Sequence, residues 1–303
     1  MGGIKRHHSL VMKRNSLLSP ALGALLALTL AASARAYTWG GKLDMLVVAE
    51  QTDASASSAL PTAAQPVSYV AFDGGYIEAG DPIGGLQPPS AAAVAQALAT
   101  ALATRHYQAA AGPTPPSLLL VYHWGLLARD TKQIRTAFQL QPNLAARINL
   151  VAPAKYAARI SEDLLDRRQP ATVRVPILDP RERDLIEFAA DDRYFVIVSA
   201  YDFASVARGD AKLLWRVKLS TRSPGVALAD AVPTLLQGGA PFFGRDLAET
   251  QFLNPPLVAA ASVPAAPVTA PPPDVLQALN QTYLNTLIHQ EHVQFTGDLP
   301  APR

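Results

Sequence analysis

The sequence predicts an α/β or α+β fold, a mixed β-sheet flanked by helices, and three observations carry that expectation. First, LLLVYHW (118–124) and YFVIVSAY (194–201) are near-continuous apolar runs, the mark of strands covered on both faces. Second, residues 212–220 alternate. Leu213, Trp215, Val217 and Leu219 fall on one face and Lys212, Arg216, Lys218 and Ser220 on the other. That pattern predicts a half-exposed antiparallel partner for the preceding strand. Third, Val94, Leu98, Ala101, Leu102 and Arg105 recur at helical spacing, as do Tyr156, Ile160 and Leu164.

Taken in chain order, residues 1–36 read as a signal peptide. Lys5, Arg6, Lys13 and Arg14 form a basic region, Ala21–Ala32 an apolar one, and Ala34-Arg35-Ala36 a small-x-small cleavage site. Cleavage between Ala36 and Tyr37 is expected, with a cut after Ala34 as the alternative and Met12 as an alternative start. The apolar run is shorter than the roughly 20 residues of a membrane span, so no stable anchor is expected after cleavage. The chain has no cysteine, which excludes a disulfide framework, a thiol nucleophile and a lipid-modified cysteine. The leader holds five of the 26 basic residues and none of the 24 acidic ones. The remainder therefore carries 21 against 24, a net of −3, and no basic tract that would suit nucleic acid.

Residues 37–66 are expected to be a lead-in, small and polar over 51–66, and 67–250 the globular domain. Val67–Phe72 reads as a strand running into turns at Asp73-Gly74-Gly75. Ser90 is placed as the N-cap of the helix that follows. The 153–168 pattern predicts a helix, 181–190 another, and 227–237 a third that Pro233 kinks or breaks. Seven prolines between Asn254 and Pro273 predict an extended linker over 251–273, leading to a C-terminal helix and tail over 274–303.

Chemistry-bearing residues are few. Asp73, Gly74, Gly75, Glu78 and Asp81 lie in a glycine-bearing segment, 73–85, that reads as tight turns or as a ligand loop. It has neither the Lys-Ser/Thr ending of a phosphate loop nor the dinucleotide spacing, and it matches no calcium loop, so no cofactor is expected. His123, at the end of its apolar run, reads as a hydrogen-bonded structural histidine or as a base. With Asp130 and Asp202 it makes the weak catalytic set of an exported hydrolase working beside 73–85. No G-x-S-x-G elbow accompanies them. His289 and His292 share a helix face beside Glu291, but the spacing is not H-E-x-x-H, and a solvated face is the favoured reading. Leu276, Leu279, Tyr283 and Leu287 make an apolar stripe on the 274–293 helix. It docks on its own domain or on an envelope protein partner, the former being favoured.

The strings YVAFDGGYIEAGDPIGG, LLLVYHWG and LLWRVKLST … APFFGRD resemble a family of exported bacterial proteins to which no chemistry is attached, over about 67–247. The resemblance implies export and transfers no catalytic residue. The strands around Tyr201 and Trp215 are also similar to small α/β envelope lipoproteins, whose lipid-bearing cysteine is absent here. The expectation is an exported envelope or secreted protein, periplasmic or extracellular, that acts by binding; the alternative is the His123 hydrolase.

Overall fold

Alternating faces of seven strands, each face buried under helices, organise the chain. The computed structural model describes residues 41–55, 60–112, 114–129, 144–165, 179–258 and 273–296, all within one unit, Thr38–Arg303. The strands are β1 (Met45–Gln51), β2 (Val67–Ala79), β3 (Tyr107–Ala109), β4 (Leu118–Leu127), β5 (Arg193–Asp202), β6 (Leu213–Arg222) and β7 (Gln251–Leu253). They form one sheet in the order β3-β2-β4-β5-β6-β1-β7. β3, β2 and β4 are parallel, while every pairing from β4 to β7 is antiparallel, so the sheet is mixed and the fold α+β. The two long apolar runs become β4 and β5 at its centre, where both faces are covered and a continuous apolar sequence is required.

One face carries α1 (Ala91–Ala103) and, beyond four further helices described below, the helix Leu228–Gly239. Ser90 caps α1, its hydroxyl accepting from the Ala93 amide. The 228–239 helix keeps Pro233 inside it and still buries Leu228, Val232, Leu235 and Leu236. Tyr122, Trp124, Val196, Val198, Val217 and Leu219 point into this layer.

The opposite face is divided. α2 (Leu144–Val151), α3 (Ala154–Leu165) and α4 (Pro180–Ala190) pack on Leu46, Ile77, Leu127, Phe195 and Ile197. α4 starts with a capping box, Asp179 and Glu182 each accepting from the other's backbone amide, with Pro180 in its first turn. Its last turn receives two buried cations: Arg193 donates to the Phe188 carbonyl and Arg147 to that of Ala190. Beyond a gap, α5 (Phe203–Ala207), α7 (Pro273–Ala278) and α8 (Gln281–Thr296) pack on Val70, Leu119, Val121 and Tyr201, the 228–239 helix being α6.

Four expectations are corrected. The lead-in 37–66 contains β1, whose apolar Met45–Ala49 are buried between β6 and β7. The expected linker 251–273 begins with β7, and Pro256 makes a bridge with Lys42. The 73–79 stretch is strand rather than turn: β2 continues to Ala79 through a bulge at Asp73/Gly75. The polar face expected for 212–220 is exposed at Lys212 but covered further on: Arg216 meets Glu291 of α8, Lys218 meets the end of α2, and Ser220 accepts from Arg193. The signal peptide, its Ala36/Tyr37 cleavage point and most of the proline-rich stretch lie outside the described residues.

Candidate functional site

The gap between the two helical packs on the divided face is filled by polar side chains. Strand register sets their positions. Val121, Ser199, Arg216 and Glu50 form one row across β4, β5, β6 and β1, and His123, Ile197, Lys218 and Val48 form the next. Since neighbours along a strand point to opposite faces, residues 121 and 123, 197 and 199, 216 and 218 all project to this side.

Glu291, from α8, is the focus of the first half. Its Oε1 accepts from Tyr201 Oη and from Arg216 Nη2, each at 2.6 Å, and its Oε2 lies 3.5 Å from His123 Nε2. Arg216 also donates through Nε to Ser199 Oγ at 2.9 Å and through Nη1 to Gln294 Oε1 at 3.3 Å. His292 sets its ring edge-on to that of His123, with centroids 6.1 Å apart. His123 and Ser199 have no exposed surface, and Glu291 retains only 2%. Burial pushes the Glu291 carboxyl up, but His123, Arg216, Tyr201 and Ser199 together pull it down to about 2. Burial raises the Tyr201 phenol, and Glu291 beside it adds to that effect.

The second half joins two helix ends. Lys218 Nζ donates to the carbonyls of Asn149 and Ala152 at the end of α2, each at 2.8 Å, and pairs with Glu50 Oε2 at 3.1 Å. Glu50 in turn accepts from the Ala154 amide at the start of α3. A cation thus sits at a helix C-terminus and an anion at a helix N-terminus, both complementary to the helix dipoles. Burial lowers the Lys218 ammonium to about 8 despite Glu50.

Of the residues singled out from sequence, His123 and Gly74 are brought together. His123 lies within β4 rather than at its end, and a Cβ on Gly74 would stand closer than 3.0 Å to three atoms of its ring. Glycine at 74 is what lets β2 pass over the imidazole. Asp202 is elsewhere. It pairs with Leu118, five residues along β4 from His123, and caps α5 by accepting from the Ala204 amide. Asp130 lies outside the described residues. Asp73 accepts from the Gly75 amide, Glu78 accepts from Tyr76 Oη, and the Asp81 amide donates to the Arg129 carbonyl. These three acids are strung along β2 and the turn after it, so they do not converge on a ligand.

The solvated-face reading of 289–292 is corrected for Glu291, which is buried in an ion pair. Sequence reasoning also passed over Tyr201, Ser199, Arg216, Lys218 and Glu50. Their one signal was Arg216 and Lys218 on an alternating strand, read as solvent-facing. Leu279, between α7 and α8, and Leu284 and Leu287 of α8 are buried on the chain's own sheet, and Tyr283 Oη accepts from the Ala211 amide. The stripe is therefore self-docked, and Leu276 alone of it stays largely exposed. Among the described residues no helix is long and apolar enough to cross a membrane, and no three His, Cys, Asp or Glu cluster as metal ligands.

A separate, open feature lies where α4 meets the sheet edge. A pocket of about 100 Å³ is lined by Tyr156, Leu185, Phe188 and Phe252, with Arg181, Asp184 and Glu249 on its rim. Phe252, on edge strand β7, is 53% exposed and leans on Phe188 with ring centroids 4.9 Å apart.

No family model and no curated protein matches the chain. Among solved structures it is similar to a PDZ domain protein from Parabacteroides distasonis, with a TM-score of 0.36 and 7% identity over 75% of this chain. The chain spans 42% of that structure's length. A likeness this slight assigns it neither ligand nor role.

Proposed function

We propose that the chain is an exported bacterial envelope or secreted protein that acts by binding another envelope component rather than by turnover. One observation carries the binding half. The groups suited to acid–base work, His123, Glu291, Tyr201 and Lys218, are shut beneath α2 and α8 and engaged with one another or with backbone. Among the described residues, an aromatic pocket at Phe188 and Phe252 is open to solvent. An exposed Phe252 against half-buried Phe188 and Tyr156, with Arg181 beside them, has the mixture of aromatic surface and arginine found at interaction hot spots. The leader at 1–36 and the resemblance to exported proteins support the export half.

The self-docked C-terminal helix moves the binding surface from 274–293 to the β7 edge. Two measurements test the reading. Protein recovered from the envelope or medium of a bacterial host begins at Tyr37; recovery of the uncleaved chain from the cytoplasm refutes export. A photoreactive amino acid at position 252 captures one envelope component in the native cell, and the same probe at exposed Leu60 does not. Equal capture from both positions refutes the pocket as the binding surface.

A further inference from the structure

Two donors and an imidazole on adjacent strands converge on a carboxylate that the sheet itself does not supply. His123 comes from β4, Tyr201 from β5 and Arg216 from β6, with Ser199 holding the guanidinium in place; the acceptor, Glu291, arrives on α8. A buried ion cluster is a poor device for holding a helix down, since apolar residues of the same volume do as well or better. That task already falls to Leu279, Leu284 and Leu287 on Val70, Leu119 and Val121. Polar groups aimed at one point from rigid strands, next to an apolar wall, have the character of a ligand site. The donor set is specific. A guanidinium, a phenol and an imidazole match an acceptor with two oxygens, and a carboxylate is the side-chain group that answers to it.

We propose that this cluster is a binding site for an aliphatic carboxylate, occupied in cis by Glu291, and that α8 is a strap which such a ligand displaces. The head group takes the place of the Glu291 carboxylate on Arg216, Tyr201 and His123. The chain lies along Val70, Leu119 and Val121, where the leucines of α7–α8 now rest. This goes beyond the binding role above and needs neither export nor the Phe252 pocket.

The sequence supplies a direct reporter. Glu291 is the last glutamate in the chain and Glu249 the one before it. A glutamate-specific protease acting on the full chain therefore releases 292–303 only when the strap opens, while Glu249, in an exposed loop, gives the internal control. Octanoate is compared with acetate, chloride and octanol, the salts at equal ionic strength. A ligand at about ten times its dissociation constant raises the open fraction, and hence the cleavage rate at Glu291, about ten-fold. Octanoate is expected to do this with Glu249 cleavage unchanged, acetate to act weakly, and octanol not at all. Tyr201→Phe, which removes one donor and keeps the ring, is expected to blunt the octanoate response. Octanol matching octanoate overturns the proposal, because loosening would then need no carboxylate. Octanoate without effect on the wild-type chain overturns it as well, leaving a permanent structural ion pair.

Discussion

Gly74→Ala tests the packing of the polar centre most directly. The added methyl comes closer than 3.0 Å to Cε1, Nδ1 and Nε2 of His123, a ring with no exposed surface and with His292 edge-on to it. The imidazole is held against Glu291, and β2 is paired to β4 on either side of Gly74, at Asp73 and Gly75, so a shift of the bulge has to disturb that ladder. Overpacking of this kind costs about 1–3 kcal/mol. For a unit of this size each kcal/mol lowers Tm by roughly 2–4 °C, so a fall of roughly 2–12 °C is expected. Urea unfolding followed by the fluorescence of buried Trp124 and Trp215 gives the free energy. Gly84→Ala, at an exposed turn with nothing within 4 Å, is the neutral control. The decisive comparison is a double-mutant cycle. In a His123→Ala background the methyl has room, and Gly74→Ala should change stability by less than about 0.5 kcal/mol. If Gly74→Ala is harmless in the wild type, or equally costly without the imidazole, the close approach of β2 and His123 is wrong.

Four further outcomes follow from the same geometry. The Glu291 carboxyl is held at about 2, below its ordinary 4.5, so its contribution is fully present above about pH 4.5 and lost as pH falls through about 2; Glu291→Gln should flatten acid titration of stability in that window. Lys218 is lowered to about 8 from 10.5, so the unfolded chain binds the extra proton between these values and stability gains from this group as pH rises from about 8 to 10.5; Lys218→Met should remove that gain in alkaline urea titrations. Leu119→Ala, at a fully buried position under α8, should cost about 2–5 kcal/mol by urea unfolding, and ending the chain at 272 should expose the same wall and bind a hydrophobic dye.

The centre of the sheet was legible because β4 and β5 are buried on both faces and their sequences say so without ambiguity. β1 was not, although Met45–Ala49 is apolar, because five residues beside a small polar stretch carry little periodicity and their partners are far along the chain. The antiparallel β5–β6 pair was read correctly and its polar face incorrectly. Alternation reports that two faces differ, not that the polar one meets water, and α2 and α8 fall on Arg216 and Lys218 from distant sequence. Glu291 was obscured for the same reason. A helix with one carboxylate among histidines and glutamines looks solvated until the cation that pairs with it is known. Ser90 and the apolar stripe near Leu279 were readable because capping and helical spacing are local.

The place of β1 in the sheet bears on how the chain reaches its native state. Val47 sits between Leu219 of β6 and Gln251 of β7, so the earliest strand among the described residues is flanked on both sides by the two latest. A chain made or delivered from its N-terminus cannot close this half of the sheet until residue 253 has emerged. Pairings of that separation are slow, since the closure entropy comes before any contact repays it. Until then the apolar Met45–Ala49 stay unpaired, and the half of the sheet that holds β1 is among the last parts of the fold to close.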